Sequence, residues 1–302
     1  MRELSRLLWE EREIRFDPSD NRIPCFPHML NLCVKHVIDE YKTANFTEVD
    51  ETWNNMLDVP VKKEEYLTAL QHDPIALARE LVRVVRASGG RRKAFQDTIK
   101  AGNANKWFHD RHNNEGTLPV IELLRDVRTR WDSLYYCINR LRTLRQAINL
   151  FLASPRHSEI ANVQMTAMEW EVLQDLEVVL EMPHIEQQKM SGEKTPRLGQ
   201  AVPSFENLRL NWENLAVIAP HCAPYIAIGM YRVNENYQRM GRTRAYSITM
   251  CKHRRQVCVL VLFNISPSTV VDPCIRLTWI DQNWGLHAAT QVRRDLIALV
   301  SD

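Results

Sequence analysis

Apolar residues recur at spacings of three and four along most of this chain, and this period is the feature that most restricts its fold. The longest example runs from Trp131 to Phe151, and its shared face carries Leu134, Ile138, Leu141, Leu144 and Ile148. Another begins at Thr166 and Glu169, which have the spacing of a capping box. This pattern predicts amphipathic helices that bury one side.

The same reasoning predicts further helices and leaves little room for strands. The predicted helices are Met1–Phe16, His28–Tyr41, Pro74–Arg86, Arg91–Lys100, Ser204–Ala216 and Pro224–Met240. Two short segments favour strand, Arg22–Cys25 and Val257–Ile265. Between Asp39 and Asp58 six acidic residues face one lysine, which is typical of a solvated, inserted loop. We therefore predict a mainly α fold with a few short strands.

Composition restricts the classes of function. The 39 Lys and Arg against 37 Asp and Glu give a net charge of +2, so no whole-molecule field indicates a nucleic-acid or membrane partner. Seven scattered cysteines, an odd number, favour reduced thiols and an intracellular protein. The longest apolar run, Val257–Phe263, is far shorter than the ~20 residues of a membrane helix. We therefore expect a soluble protein with no membrane partner.

Three segments resemble elements that occur in this order in one family. The first is Cys25-Phe26-Pro27-His28-Met29-Leu30-Asn31-Leu32, and the second is Thr129-Arg130-Trp131-Asp132-Ser133. The third comprises Lys189–Pro196 and, further on, Ile275–Ile280. Together they resemble the Cys-x-x-His, Thr-Arg-Trp and downstream helical elements of hAT-superfamily DNA transposases. The likeness extends over most of the chain, and Cys25, His28, Asn31, Thr129, Arg130 and Trp131 carry its motifs.

The resemblance implies a partial RNase H-like α/β core interrupted by a large helical insertion, in a protein of the nucleus. The expected division is a core remnant at 1–41, an acidic loop with a basic helical segment at 42–126, and a helical insertion region at 127–302. An atypical apolar stretch at 251–271 departs from the family pattern. We interpret that stretch as an unspliced or misannotated insertion.

In the family, three carboxylates hold two divalent ions such as Mg²⁺ for attack on a phosphodiester. All three expected positions fall outside this chain, so we expect no catalytic residue and no metal or other cofactor here. Asp20 is assigned to a turn, and Asp126 and Asp132 to the entry and first turn of a helix. The expected function is that of an inactive, truncated transposase derivative with weak DNA binding.

The resemblance also points to residues that would contact DNA. His28 matches a histidine near the scissile phosphate, and Trp131, flanked by Arg128 and Arg130, matches a tryptophan that stacks on an extruded base. The alternative for each residue is structural. Trp131 would be a core residue at a helix start, and His28 would be satisfied locally.

A basic segment supplies a second candidate DNA surface. Its members are Arg83, Arg86, Arg91, Arg92, Lys93 and Lys100, with Trp107 and Phe108 beyond them. This composition is typical of a surface that follows phosphates, and its alternative is a solvated helix pair. The Ser88-Gly89-Gly90-Arg91 stretch lacks the Gly-Lys-Ser/Thr ending of a phosphate-binding loop, so no nucleotide partner is expected.

A set of cysteines and histidines allows one further interpretation. Cys25, His28, Cys33 and His36 have the residue types of a zinc site, but His28 and Cys33 would lie ~140° apart around a helix, so core thiols are favoured.

The alternative function is a helical module that associates with other transposase chains. DNA binding that weakens with salt would support the transposase derivative, whereas oligomerisation that is insensitive to salt would support the helical module.

Overall fold

The computed structural model describes residues 2–17, 22–55, 58–110, 112–191, 197–243 and 245–250. Its α-helices are α1 (Arg2–Arg12), α2 (Phe26–Glu40), α3 (Lys63–Gln71), α4 (Pro74–Val85), α5 (Gly89–Ala104), α6 (Trp131–Thr143), α7 (Arg145–Ala153), α8 (Ala167–Met190), α9 (Ala201–Ile218), α10 (Ala223–Met240) and α11 (Ala245–Met250). Short 3-10 turns cover Tyr41–Thr43, Pro155–Val163, Leu198–Gln200 and Pro220–Cys222. The prediction of a mainly α fold with few short strands is confirmed.

The described strands differ from the predicted ones. Strand β1 (Thr52–Asn54) pairs antiparallel with β2 (Pro60–Lys62), with Trp53 opposite Val61. The acidic stretch 39–58 was therefore wrongly predicted to be loop throughout, because the Trp53 ring packs on buried Tyr66 at 5.0 Å and draws β1 to the core. The segment Arg22–Cys25 enters α2 without pairing, since the described residues give it no neighbouring strand.

Local cap chemistry sets several helix starts. The Thr166–Glu169 capping box is confirmed: the Glu169 N–H donates to Thr166 Oγ1 at 3.2 Å, and the Thr166 N–H donates to Glu169 Oε2 at 2.7 Å. Ser88 caps α5 by accepting the Arg91 N–H at 3.1 Å. These bonds satisfy backbone donors that a first helical turn leaves unpaired.

The predicted helix over Trp131–Phe151 is in fact two helices. Leu144 leaves helical geometry, with φ −103° and ψ 10°, and separates α6 from α7. Its side chain is fully buried, so the apolar period continues across the break. Periodicity alone therefore cannot reveal this boundary.

The chain divides into two compact units. Unit 1 contains the described parts of Met1–Cys33, Ile185–Asn211 and Gly229–Asp302, and unit 2 contains those of Val34–His184 and Trp212–Ile228. The domain limits at 41 and 126 stay a prediction. Four features named from the sequence lie outside the described residues: Asp20, the stretch 251–271, the strand Val257–Ile265 and the segment Ile275–Ile280. Residues 192–196 of the resembling segment Lys189–Pro196 lie outside them as well.

Unit 2 has a helical core. Helix α5 packs on α7 through an edge-to-face pair of Phe95 and Phe151 with ring centroids 5.5 Å apart. Fully buried Trp212 donates its indole N–H to the Val179 carbonyl at 2.9 Å. Phe108 folds back onto Gly102 of α5, where a Cβ would lie 2.2 Å from the ring, so only glycine admits this contact.

Unit 1 is assembled around the first turns of α2. Phe26 packs edge-to-face on Phe205 of α9 at 5.1 Å, and the Tyr246 hydroxyl donates to the Pro24 carbonyl at 2.7 Å. Buried Asn236 of α10 donates to the Met29 carbonyl at 3.5 Å. These contacts hold the segment before α2 against α11, and α2 itself against α9 and α10. Across the described part of the chain, no helix combines the length and apolar character needed to cross a membrane.

Candidate nucleic-acid interface

A cavity of about 600 Å³ lies in unit 1 where α2 begins. Its polar lining comes from Arg22, Cys25, His28, Asn236, Arg239 and Arg242. The floor is the apolar side of α2, including Met29 and Leu32. The first of the resembling segments thus lies at this cavity, with exposed Cys25 and His28 on its wall.

The charge of the cavity lining is positive. None of its lining residues is acidic, and Arg22, His28 and Arg242 form no ion pair with any described residue. Arg239 is partly neutralised, because its guanidinium lies 2.5 Å from Glu235. Arginine, histidine and asparagine all donate hydrogen bonds to phosphate oxygens. The cavity is therefore suited to an anion rather than a cation.

The second resembling segment, which starts α6 in unit 2, is turned inward. Trp131 is 6% exposed, and the core alternative therefore fits its ring better than a base-stacking surface does. Arg128 and Arg130 are exposed on either side of exposed Thr129. In this arrangement the two arginines reach solvent, whereas the tryptophan that follows them does not.

Polar bonds fix the same segment to its neighbours. Ser133 Oγ donates to Asp126 Oδ1 at 2.7 Å and accepts the Val127 N–H at 2.7 Å. Asp126 also accepts from Arg79 Nε at 2.7 Å, and its side chain is almost fully buried. Asp132, in the first turn of α6 as predicted, pairs with His184 Nδ1 at 2.5 Å. Both carboxylates therefore have structural partners.

Most of the basic segment is engaged in ion pairs. Arg83 lies 2.5 Å from Glu80, Arg86 lies 3.2 Å from Glu122, Arg91 lies 3.4 Å from Glu159 and Lys100 lies 3.8 Å from Asp97. Arg86 and Arg91 are also partly buried, and they donate to the Leu123 and Val84 carbonyls, respectively. Arg86 thus fixes the loop at Leu123 and Arg91 the last turn of α4, and both are less available to phosphate.

The remaining members of the segment are open to solvent. Arg92 and Lys93 are exposed, and neither forms an ion pair within the described ranges. Trp107 is 50% exposed, whereas Phe108 is 1% exposed and belongs to the core. The surface left for DNA is thus narrower than the sequence pattern predicts, with Arg92, Lys93 and Trp107 as its accessible residues.

The residues of the candidate zinc set, Cys25, His28, Cys33 and His36, lie at the start of α2 and along it, and its two cysteines differ in burial. Cys25 is exposed, whereas Cys33 is fully buried, and that burial raises the pKa of its thiol to about 11. The Asn236 amide donates to Cys33 Sγ at 3.5 Å. Cys33 thus behaves as the core thiol that the sequence favours.

Sequence reasoning missed most of the cavity. Arg22 precedes α2, whereas Asn236, Arg239 and Arg242 lie more than 200 residues later, at the end of α10 and just beyond it. No local spacing connects these positions. The Arg239 and Arg242 pair beside Gly241 is the nearest signal, since basic residues often end helices.

Comparison with known proteins agrees with this architecture. The family described as the ZBED1 RNase-like helical domain matches residues 23–179, just over half of the 302-residue chain. The match includes both the Cys25–Leu32 segment and the Thr129–Ser133 segment. No curated protein and no solved structure matches the chain. The chain belongs to the family of ZBED1 RNase-like helical domains, a hAT-related domain derived from transposases.

Proposed function

We propose that this chain derives from a hAT-type DNA transposase and binds DNA phosphates through the cavity at the start of α2, without cutting the strand. The observation that carries the proposal is the cavity lining, in which Arg22, His28 and Arg242 meet with no acidic residue among them. A phosphodiester supplies the missing negative charge. The protein would act in the nucleus, where its DNA would be found.

Cutting by the family's mechanism would need carboxylates that hold metal ions. The cavity offers donors for phosphate oxygens and no carboxylate for a cation. This lining supports binding rather than cleavage at that place. Arg92 and Lys93 in unit 2, which lack ion pairs in the described ranges, supply further phosphate contacts.

Salt-dependent DNA binding tests the proposal. We expect the affinity for a duplex oligonucleotide, measured by fluorescence anisotropy, to fall linearly with salt on a logarithmic plot. Arg242→Gln should weaken binding about five- to tenfold and reduce the salt slope by about 1. Arg12→Gln on α1 removes an equal charge from an exposed site in unit 1 that does not line the cavity.

Two results would contradict the proposal. Equal losses in Arg12→Gln and Arg242→Gln would show that only total charge matters. Cleavage of labelled duplex or hairpin DNA in Mg²⁺ or Mn²⁺ would refute binding without cutting.

A second candidate function is association with another transposase-type chain. Helix α1 has no buried residue, and Leu4, Leu7 and Trp9 are 44%, 38% and 52% exposed. An amphipathic helix with an uncovered apolar side favours a protein partner. Self-association in sedimentation that persists at high salt and is lost in Leu7→Glu, but kept in Val217→Glu at another exposed apolar site, would favour this function.

A further inference from the structure

A buried polar cluster in unit 2 takes no part in the proposed DNA interface. Asp175 lies on α8, and His221 and Cys222 end the short turn before α10. One potential ligand atom from each residue lies within 4.8 Å of the other two, and this is the one such group of His, Cys, Asp or Glu in the described ranges. Asp175 and Cys222 are buried, and the His221 side chain is 12% exposed.

The geometry of the cluster fits a tetrahedral ion. In such a site, bonds of 2.0–2.3 Å place neighbouring ligand atoms about 3.5 Å apart. His221 Nε2 and Asp175 Oδ1 are 3.3 Å apart, so a small inward shift of Cys222 Sγ would complete a three-ligand set. The ion would take His221 Nε2, the ring nitrogen that faces Asp175; the other nitrogen, Nδ1, is buried and has no hydrogen-bond partner among the described residues.

The charges of the cluster also call for a cation. Asp175 pairs with no arginine or lysine in the described part of the chain, and its ion-pair partner there is His221. Once the Cys222 thiol has lost its proton on metal binding, the carboxylate, the thiolate and a neutral imidazole together carry two negative charges. One divalent ion would neutralise them, and neutral groups are the ones that a protein interior tolerates.

Surrounding side chains already orient Asp175 and His221. The Tyr66 hydroxyl donates to Asp175 Oδ2 at 2.8 Å and lies 2.9 Å from the Tyr225 hydroxyl. Trp53 stacks on the His221 ring, with centroids 5.2 Å apart and an interplanar angle of 5°. Hydrogen bonds and packing of this kind around ligating side chains are typical of protein metal sites.

We propose that Asp175, His221 and Cys222 bind one divalent transition ion of the zinc class, with a water molecule as fourth ligand. Sulfur and imidazole ligands select such ions over Mg²⁺ and Ca²⁺, which prefer oxygen. On binding, the Cys222 thiol releases its proton to solvent as the metal–sulfur bond forms. This site differs in ligand chemistry from a carboxylate site for Mg²⁺.

Cobalt(II) titration of the metal-free full chain tests the proposal, because Co²⁺ replaces Zn²⁺ and absorbs light. We expect binding of one equivalent, visible absorption typical of tetrahedral Co²⁺, and a near-ultraviolet thiolate-to-metal band. Excess Zn²⁺ should abolish these signals. Absence of the thiolate band in the unmodified chain would overturn the proposal.

Cysteine variants assign the sulfur ligand. Cys222→Ser should lose the thiolate band, and Cys137→Ser, a buried thiol of the same unit, should keep it. A band of full intensity in Cys222→Ser would place the ion on another cysteine and overturn the proposal. Circular dichroism of each variant separates loss of a ligand from loss of the fold.

A milder variant keeps the test informative if Cys222→Ser unfolds. Tyr66→Phe removes the hydroxyl that orients Asp175 and retains the three ligands. Its affinity for Co²⁺ should fall about ten- to hundredfold while the thiolate band persists at saturation. Tyr231→Phe, an exposed tyrosine on α10, should leave the affinity unchanged. Equal affinities in the two variants would show that the ion is not held by the carboxylate that Tyr66 orients, and would overturn the proposal.

Discussion

The two segments that carry the transposase resemblance have opposite environments in the fold. The Cys25–Leu32 segment presents exposed Cys25 and His28 to an open, cationic cavity. The Thr129–Ser133 segment turns its tryptophan inward and ties its acid and serine to structural partners. Two motifs of one family, each at a helix start, can therefore lie one at an open surface and the other in the core, and burial distinguishes them.

Thiol reactivity should give the largest contrast between these regions. Cys25, the first residue of the first segment, is exposed, whereas Cys137 is buried on α6, where burial raises the pKa of its thiol to about 12. A shift from the ordinary value of 9.0 leaves about a thousandfold less thiolate at pH 8. Alkylation followed by peptide mass spectrometry should label Cys25 first and Cys137 only on unfolding.

The same shift makes stability depend on pH. Folded Cys137 keeps its proton to higher pH than the unfolded chain does, so the free energy of unfolding should fall as pH rises from about 9 to about 12. Urea unfolding across this range measures the effect. Cys137→Ala should flatten this dependence, and an unchanged slope would contradict the assignment.

Removing the buried tryptophan of the second segment should destabilise the fold strongly. Trp131→Ala should lower the free energy of unfolding by about 3–5 kcal/mol, because it leaves a large cavity in the core. Trp107→Ala, at a half-exposed site, should change it by less than about 0.5 kcal/mol. Urea unfolding compares the two, and equal effects would make Trp131 a surface residue.

The serine of the second segment should have an intermediate effect. Ser133→Ala removes the bonds to the Asp126 carboxylate and the Val127 N–H. Leaving such partly buried groups unpaired should destabilise the fold by about 1–3 kcal/mol in urea unfolding. Ser158→Ala, at an exposed serine of unit 2, is the matched control. A neutral Ser133→Ala would mean that this segment is not anchored by its serine.

The smallest effect should come from single charges in the basic segment. Arg92→Gln should weaken DNA binding about two- to threefold, because an unpaired guanidinium is available to phosphate. Arg83→Gln should change it less, since Glu80 already neutralises Arg83. Anisotropy titrations at low salt measure both. A larger loss in Arg83→Gln would show that ion pairing does not select the DNA-binding residues.

Local sequence patterns predicted what depends on neighbouring residues. The helix that begins at Pro74 and the Thr166–Glu169 box follow from period and cap chemistry within a few residues. The break at Leu144 and the ribbon of Thr52–Asn54 with Pro60–Lys62 were missed. The apolar period runs unchanged through Leu144. The ribbon depends on the packing of Trp53 on Tyr66, a core residue outside both strands.

The candidate sites show the same limit. His28 was identified from its segment alone, whereas Asn236 and Arg242 become its neighbours only when α10 packs on α2. Asp175 and His221 carry no motif that joins them, and they lie 46 positions apart in the chain. The basic run at Arg83–Lys100 was visible in the sequence, but its pairing with Glu80, Glu122 and Glu159 was not.

The sequence by itself determined where most of the helices lie and to which family the chain is related, because helical period, caps and motif order act over short stretches. The tertiary structure decided which motif side chains face solvent, which basic residues remain unpaired and which ligands meet around a common point. Those properties arise from contacts between residues far apart in the chain, where burial and charge pairing depend on packing rather than on sequence neighbours.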